Sequence, residues 1–124
     1  MKNILIFVNI IVSISFGNDT SKVVQTHNNG KISIISYYQE TEKGLKLIKQ
    51  ETFHFSGPKS MVGQFKDGIR DGDWTYWHEN GMKRLEGSYF NGFKNGLWTR
   101  WYGNGVIATK YIYDNTTLNG KITE

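Results

Sequence analysis

Histidine, serine and aspartate side chains are the first candidates for catalytic chemistry in this sequence. His54 and His78 occupy equivalent positions in two similar segments of the chain. An acid–base role for them would need a partner group in a pocket protected from water, and the single-layer sheet predicted below offers little of either. No serine lies in a nucleophile motif such as G-x-S-x-G. The sequence therefore predicts a protein that is not an enzyme.

An acidic segment from Asp67 to Asp73 superficially resembles a calcium-binding loop. Its spacing does not match that of the known oxygen-ligand loop. The equivalent positions in the next similar segment are Asn91, Asn95 and Leu97, which keep the turn chemistry without the charges. We therefore interpret the segment as turns, and we expect no metal site and no cofactor.

Aromatic and arginine residues give the strongest signal for function. Trp, Tyr and Arg are the residue types that dominate the binding energy of protein interfaces. Several of them fall on alternate positions of predicted strands and would share one face of a sheet. We predict a binding surface that consists of Trp74, Tyr76, Arg84, Trp98, Arg100 and Tyr102. The alternative is that the sheet curves or pairs with a second layer, which would bury the aromatic residues.

The elements that position these residues form an internal repeat. GDWTYWHENG begins at Gly72, GLWTRWYGNG begins at Gly96, and GKIT begins at Gly120. No gap is needed to align the units from about Gln50 onward. Self-similarity at a fixed period, here about 24 residues, is typical of a repeat architecture.

Each unit is predicted to hold two strands and two turns. Asn-Gly and Asp-Gly pairs recur at the chain reversals, and these residues adopt the positive φ that hairpin turns require. The sequence therefore predicts an all-β fold, an elongated antiparallel meander of repeated hairpins with about eight strands. We expect this domain over residues 31–124, after a flexible leader over residues 18–30.

The loop of the central hairpin decides which tryptophans are buried, because a one-residue slip exchanges the faces of a strand. A two-residue Asn80-Gly81 loop pairs Trp74 with Gly87. A three-residue loop with Gly81 as a bulge pairs Trp77 with Lys83.

The composition of the two tryptophan columns favours the three-residue loop. One column, Phe53, Trp77 and Trp101, is aromatic in three units. The column of Trp74 and Trp98 contains Gln50 in the first unit. We therefore predict that Trp77 and Trp101 belong to the core and that Trp74 and Trp98 lie on the outer face.

The motif residues resemble the MORN repeat family, and in particular the bacterial MORN-variant repeat. The family pattern, G-x-W, an aromatic residue, N-G, G-x-Y and N-G, is matched from Gly72 to Gly92. The next unit matches from Gly96, with Tyr111 in place of the later glycine. The resemblance implies a sheet of successive hairpins without catalytic residues. Many bacterial members are YwqK-type antitoxins with a toxin as partner, and other MORN proteins are scaffolds or bind phospholipid surfaces.

Charge and composition exclude some classes of partner. The net charge is +4, and the cations are scattered rather than clustered, which argues against a nucleic-acid interface. The chain has no cysteine, so that disulfides cannot contribute to its stability.

Residues 1–17 have the pattern of a secretory signal peptide. Lys2 precedes an apolar run from Ile4 to Ile14, and the small residues Ser15 and Gly17 follow it. The run is too short to cross about 30 Å of hydrocarbon. We therefore expect export to the periplasm or the medium.

Together these features predict an exported, non-catalytic repeat module that binds another protein. The family resemblance would make it antitoxin-like or immunity-like. The alternative is a module that binds a cell-envelope glycan or a membrane surface, because aromatic faces also bind cationic groups such as choline.

The signal-peptide pattern predicts cleavage after Gly17, because Ser15 and Gly17 have the small side chains that the peptidase requires. Mass spectrometry of the exported protein should find Asn18 at the N-terminus. An exported chain that still begins at Met1 would contradict the assignment.

Overall fold

The computed structural model describes residues 20–114 and 117–122, and these residues form strands joined by tight turns. The predicted signal peptide, residues 1–17, lies outside the described residues. The strands are β1 (Thr20–Thr26), β2 (Ile32–Thr41), β3 (Gly44–Phe53), β4 (Lys59–Lys66), β5 (Ile69–Trp77), β6 (Lys83–Phe90), β7 (Phe93–Trp101), β8 (Ile107–Asp114) and β9 (Thr117–Ile122).

The strands form one open sheet in which their order follows the sequence, from β1 to β9, and each is antiparallel to the next. This arrangement confirms the predicted all-β fold and the antiparallel meander of hairpins. Extensive contacts between strands join only sequence neighbours, so the described residues form a single layer. Within the described ranges no helix is long and apolar enough to span a membrane.

The first strand departs from the sequence interpretation. We predicted a flexible leader over residues 18–30, but Thr20–Thr26 forms β1 and pairs with β2. The polar residues around Val23 and Val24 concealed a short strand whose valines are half-buried. Pairing with β1 also satisfies backbone groups of β2 that would otherwise form an open sheet edge.

The turns repeat their backbone conformation at the spacing of the sequence repeat. Gly81 and Gly105 have φ values of 86° and 85°, and Asp67 and Asn91 have φ values of 50° and 49°. Positive φ is easily adopted by glycine and tolerated by Asn and Asp. The Asn-Gly and Asp-Gly pairs therefore determine where the chain reverses.

A row of histidines connects successive turns. His54 Nε2 lies 3.0 Å from the backbone oxygen of Trp77, and His78 Nε2 lies 3.1 Å from that of Trp101. His27 makes the same contact with Phe53 at 3.0 Å. A carbonyl oxygen only accepts hydrogen bonds, so Nε2 is the donor in each case. These bonds join each hairpin to the next unit.

The most buried part of the sheet consists of two tryptophan rings that lie flat against glycine backbone, and Ile35 is buried in the earlier part of the chain. Trp74 and Trp98 are only 2% and 1% exposed. A Cβ atom at Gly63 would clash with the ring of Trp74, and one at Gly87 would clash with the ring of Trp98. Each indole therefore requires a glycine on the preceding strand.

Hydrogen bonds and aromatic edges hold the two rings in place. Trp74 Nε1 donates to the backbone oxygen of Gln64 at 3.1 Å, and Trp98 Nε1 donates to that of Ser88 at 3.0 Å. The ring of Tyr89 lies between the two tryptophans and meets both edge-on, with centroid distances of 5.6 and 5.0 Å. The rings are thus enclosed without a second layer of secondary structure.

A bulge in the central hairpin explains the difference from the predicted register. Trp77 is opposite Lys83, as predicted, but Trp74 is opposite Gly87. The bulge inserts Arg84 into β6 between these pairs. The two registers that the sequence left as alternatives therefore both occur, one on each side of the bulge.

The prediction that Trp74 and Trp98 lie on an exposed outer face is consequently wrong. They are the most buried large side chains among the described residues, whereas Trp77 and Trp101 are only half-buried. A column that is aromatic in every unit is not the more buried column here, because burial depends on the glycine that faces each ring.

The first unit replaces the tryptophan with polar contacts. Gln50 Nε2 donates to Ser36 Oγ at 3.1 Å. Glu51 is 8% exposed and pairs with Lys49 at 2.9 Å and with Lys59 at 3.3 Å. Burial raises the pKa of Glu51, but hydrogen bonds to the two lysines outweigh it, so that the pKa lies below its ordinary value.

The tryptophan–glycine stack ends at β8. Trp98 is opposite Tyr111. Tyr111 stands one repeat after Gly87, where a glycine would be needed to receive another indole.

We predict that Trp98→Ala lowers the free energy of unfolding by about 3–5 kcal/mol, as large-to-small aromatic changes do in packed interiors. Gly87→Ala should lower it by about 1–3 kcal/mol, because the new methyl group overlaps the Trp98 ring. Urea unfolding monitored by circular dichroism measures both values.

Gly103→Ala is the matched control. Its φ is not in the left-handed region, and a Cβ there would meet only Asn80 Nδ2 at 3.9 Å. We expect a change of about 0.5 kcal/mol or less. Equal effects of Gly87→Ala and Gly103→Ala would contradict the packing of the indole on the glycine.

Candidate binding surface

The buried tryptophans define one face of the sheet, which we call the Trp face. Side chains alternate between faces along a strand, so Tyr76 and Arg100 share this face with Trp74 and Trp98. Trp74 and Trp98 are covered by their neighbours, and a partner cannot reach them. They therefore support the predicted binding surface from below and do not form part of it.

The other four predicted residues, Tyr76, Arg84, Arg100 and Tyr102, lie together in a groove of about 380 Å³ on the Trp face. We call it the arginine groove. It is lined by Tyr76, His78, Arg84, Leu85, Arg100, Trp101, Tyr102 and Gly103. Regular alternation would have placed Arg84 on the opposite face, and the bulge brings its guanidinium into the groove beside Arg100.

The arginine groove is cationic. Arg84 and Arg100 are exposed, and no carboxylate of the described residues lies within 4 Å of either. No acidic residue lines the groove. The Arg84 guanidinium lies 5.7 Å from the ring centroid of Tyr76, close enough for a cation–π contact. The groove therefore combines aromatic surface with two positive charges that lack an acidic partner in the described part of the chain.

Tyr76 forms the half-buried wall of this groove. Burial raises the pKa of its hydroxyl, although the nearby Arg70 and Arg84 partly oppose the shift. Interaction with Tyr89 raises the pKa further, so the hydroxyl of Tyr76 is engaged with a neighbouring side chain of the Trp face.

A second groove of about 320 Å³ adjoins the first and shares Tyr76 and Arg84 with it. We call it the hydroxyl groove. Its residues Thr52, Ser60 and Met61 are one repeat before Tyr76, Arg84 and Leu85, so it is the preceding unit's version of the same site. Here the two polar side chains bind each other, with Thr52 Oγ1 and Ser60 Oγ 2.7 Å apart.

Two further cations on the Trp face are held by aromatic rings. Arg70 lies 4.7 Å from the ring of Trp74 and donates to the hydroxyl of Tyr89 at 3.1 Å. Lys94, one repeat later, lies 4.6 Å from the ring of Trp98. Sequence reasoning did not identify these pairs, although the matching positions of the two cations in successive repeats were a signal. They cover the indoles and are engaged within the protein.

The opposite face carries a shallow polar groove of about 350 Å³, lined by Asp73, Thr75, Glu86, Gly87, Ser88, Leu97 and Thr99. Its polar groups are largely paired: Ser88 Oγ donates to Asp73 at 2.7 Å, and Glu86 forms an ion pair with Lys83. No group of three or more His, Asp or Glu side chains is placed to hold a metal ion within residues 20–114.

No protein-family model matches the chain, and no curated protein or solved structure is significantly similar to it. The resemblance to MORN-variant repeats therefore stays a prediction based on the motif residues.

The two tryptophan pairs should differ in their access to solvent. The chain has four tryptophans, and Trp77→Phe/Trp101→Phe leaves only the two buried ones. Because small quenchers must contact the indole, we expect acrylamide to quench this variant several-fold less efficiently than the wild type. Wild-type quenching efficiency in the variant would contradict the assignment of Trp74 and Trp98 to the core.

Proposed function

We propose that this protein is a non-catalytic repeat module that binds another protein through the arginine groove. The observation that carries the proposal is that Arg84 and Arg100 line one groove together with aromatic side chains. Neither arginine has an acidic partner in the described residues. Arg and Tyr supply most of the energy at protein interfaces. The groove therefore has the composition of an interface centre.

The accessibility of the groove supports this role. Tyr102 is 54% exposed, and it occupies the position that His54 and His78 use to bind the next unit. Its side chain is thus available to a partner. The groove lies on paired strands, so that little backbone ordering would be needed on binding.

Export forms part of the proposal and is supported by the pattern of residues 1–17. The family resemblance would make the partner a toxin and the module an antitoxin or immunity protein. For an exported chain, neutralisation would then take place in the periplasm or outside the cell.

A second candidate function is binding of a cell-envelope glycan or membrane surface. The favouring observation is the set of three rings, Tyr76, Trp101 and Tyr102, that line the same groove. Aromatic clusters of this kind also bind cationic ligands such as choline.

Comparative affinity capture tests the proposal. The chain lacking residues 1–17 is immobilised, and proteins from an extract of its own cells are captured at low and moderate salt. The variant Arg100→Ala/Tyr102→Ala should lose a specific protein that the wild type retains. Loss of two interface residues typically weakens binding by about 2 kcal/mol or more, which corresponds to a dissociation constant raised by more than tenfold.

Lys66→Ala/Phe90→Ala is the matched control, because it also removes one exposed cation and one aromatic ring that is 54% exposed. Lys66 and Phe90 lie at the ends of their strands that are remote from the arginine groove. The control variant should therefore retain the partner. Parallel pull-downs with purified cell wall and with liposomes test the second candidate. Binding there, with no protein captured, would overturn the proposed protein interaction.

A further inference from the structure

Two like charges occupy neighbouring strands of the Trp face. Leu85 is opposite Arg100, and Arg84 precedes Leu85 on the bulge of β6. Both guanidinium groups line the arginine groove, and like charges close together on neighbouring strands destabilise a sheet. Neither guanidinium is neutralised by a carboxylate within the described residues. An anionic group bound between them would relieve the repulsion.

The ligand group that fits this arrangement best is a carboxylate. Guanidinium and carboxylate form short, bidentate, charge-assisted hydrogen bonds. The ring of Tyr76 lies beside the pair, with its centroid 5.7 Å from the Arg84 guanidinium.

The position of the hydroxyl groove beside the arginine groove indicates how a bound segment would run relative to the strands. The two grooves are one repeat apart, and two strands at about 4.8 Å each place them about 9–10 Å apart across the sheet. An extended peptide covers this distance in about three residues. The hydroxyl groove has Ser60 where the arginine groove has Arg84, and Arg70 and Arg84 also line it.

Resting on the proposed function, we infer that the partner presents an extended acidic segment that crosses the strands of the Trp face. Its carboxylates occupy the arginine groove, and the segment continues over the hydroxyl groove about three residues away. A lipid surface fits less well, because lipid-binding segments use clusters of several Lys and Arg residues, whereas here Arg70 and Lys94 are engaged with aromatic rings.

A fluorescently labelled hexaglutamate peptide tests the inference by anisotropy at low salt. The wild type should bind it, and Arg84→Gln/Arg100→Gln should weaken binding at least tenfold. Lys43→Gln/Lys66→Gln, which removes two exposed charges away from the groove, should change it less than twofold. Ser60→Arg, which adds a further cation to the hydroxyl groove, should strengthen binding several-fold.

Failure of the wild type to bind, or equal losses in the two double variants, would overturn the inference. Phosphatidylglycerol vesicles form a separate arm. Binding to vesicles that requires Arg84 and Arg100, without binding of hexaglutamate, would also overturn it, in favour of a lipid ligand. If hexaglutamate fails but affinity capture still depends on Arg100 and Tyr102, the acidic segment is refuted and the protein interaction stands.

Discussion

The contact of an indole ring with bare glycine backbone is the interaction on which this fold depends. A single layer of strands has no second layer against which it can bury apolar surface. Trp74 and Trp98 are buried instead by lying flat on the neighbouring, preceding strand, where Gly63 and Gly87 have no side chain that would clash with the rings. Each ring then binds a backbone carbonyl through Nε1 and is enclosed by Tyr89 and a cation. The core is therefore distributed along the sheet, one indole in each of two units.

This arrangement explains how the binding surface is organised. Because the buried rings lie on the Trp face, the side chains around them pack against the two indoles. The histidines at the turns add a second connection between units. The repeats therefore share one backbone framework and differ in what they present. At equivalent places the first complete unit offers Thr52 and Ser60, and the next offers Tyr76 and Arg84.

The sequence was most informative where one residue type has one physical use. The Asn-Gly and Asp-Gly pairs indicated the turns because positive φ restricts the choice of residue, and the meander followed from them. The sequence was less informative about which side chains lie on which face of the sheet. The three-residue loop correctly placed Trp77 opposite Lys83, but the bulge at Arg84 restored the other register for Trp74. A bulge depends on local backbone geometry, and no residue type near Arg84 signals it.

The same bulge determines how much of the candidate site could be predicted. Tyr76, Arg84, Arg100 and Tyr102 were identified because their types are those of interfaces, and the structure brings them into one groove. Trp74 and Trp98 were included for the same reason, although their burial removes them from it. The glycines at positions 63 and 87 were the signal that could have distinguished them, since a glycine in mid-strand indicates close approach of another group.

Tyr111 has a consequence for how such a protein could grow by duplication of its own segments. A unit inserted between Gly87 and Trp98 would bring both a receiving glycine and an indole, so that the series of stacked rings would continue unbroken. An indole that packed on β8 as Trp98 packs on β6 would meet the phenol ring of Tyr111 instead of bare backbone. Lengthening of the indole series, in evolution or in the laboratory, is therefore compatible with the interior of the array, whereas stacking of an indole on β8 would require glycine at position 111.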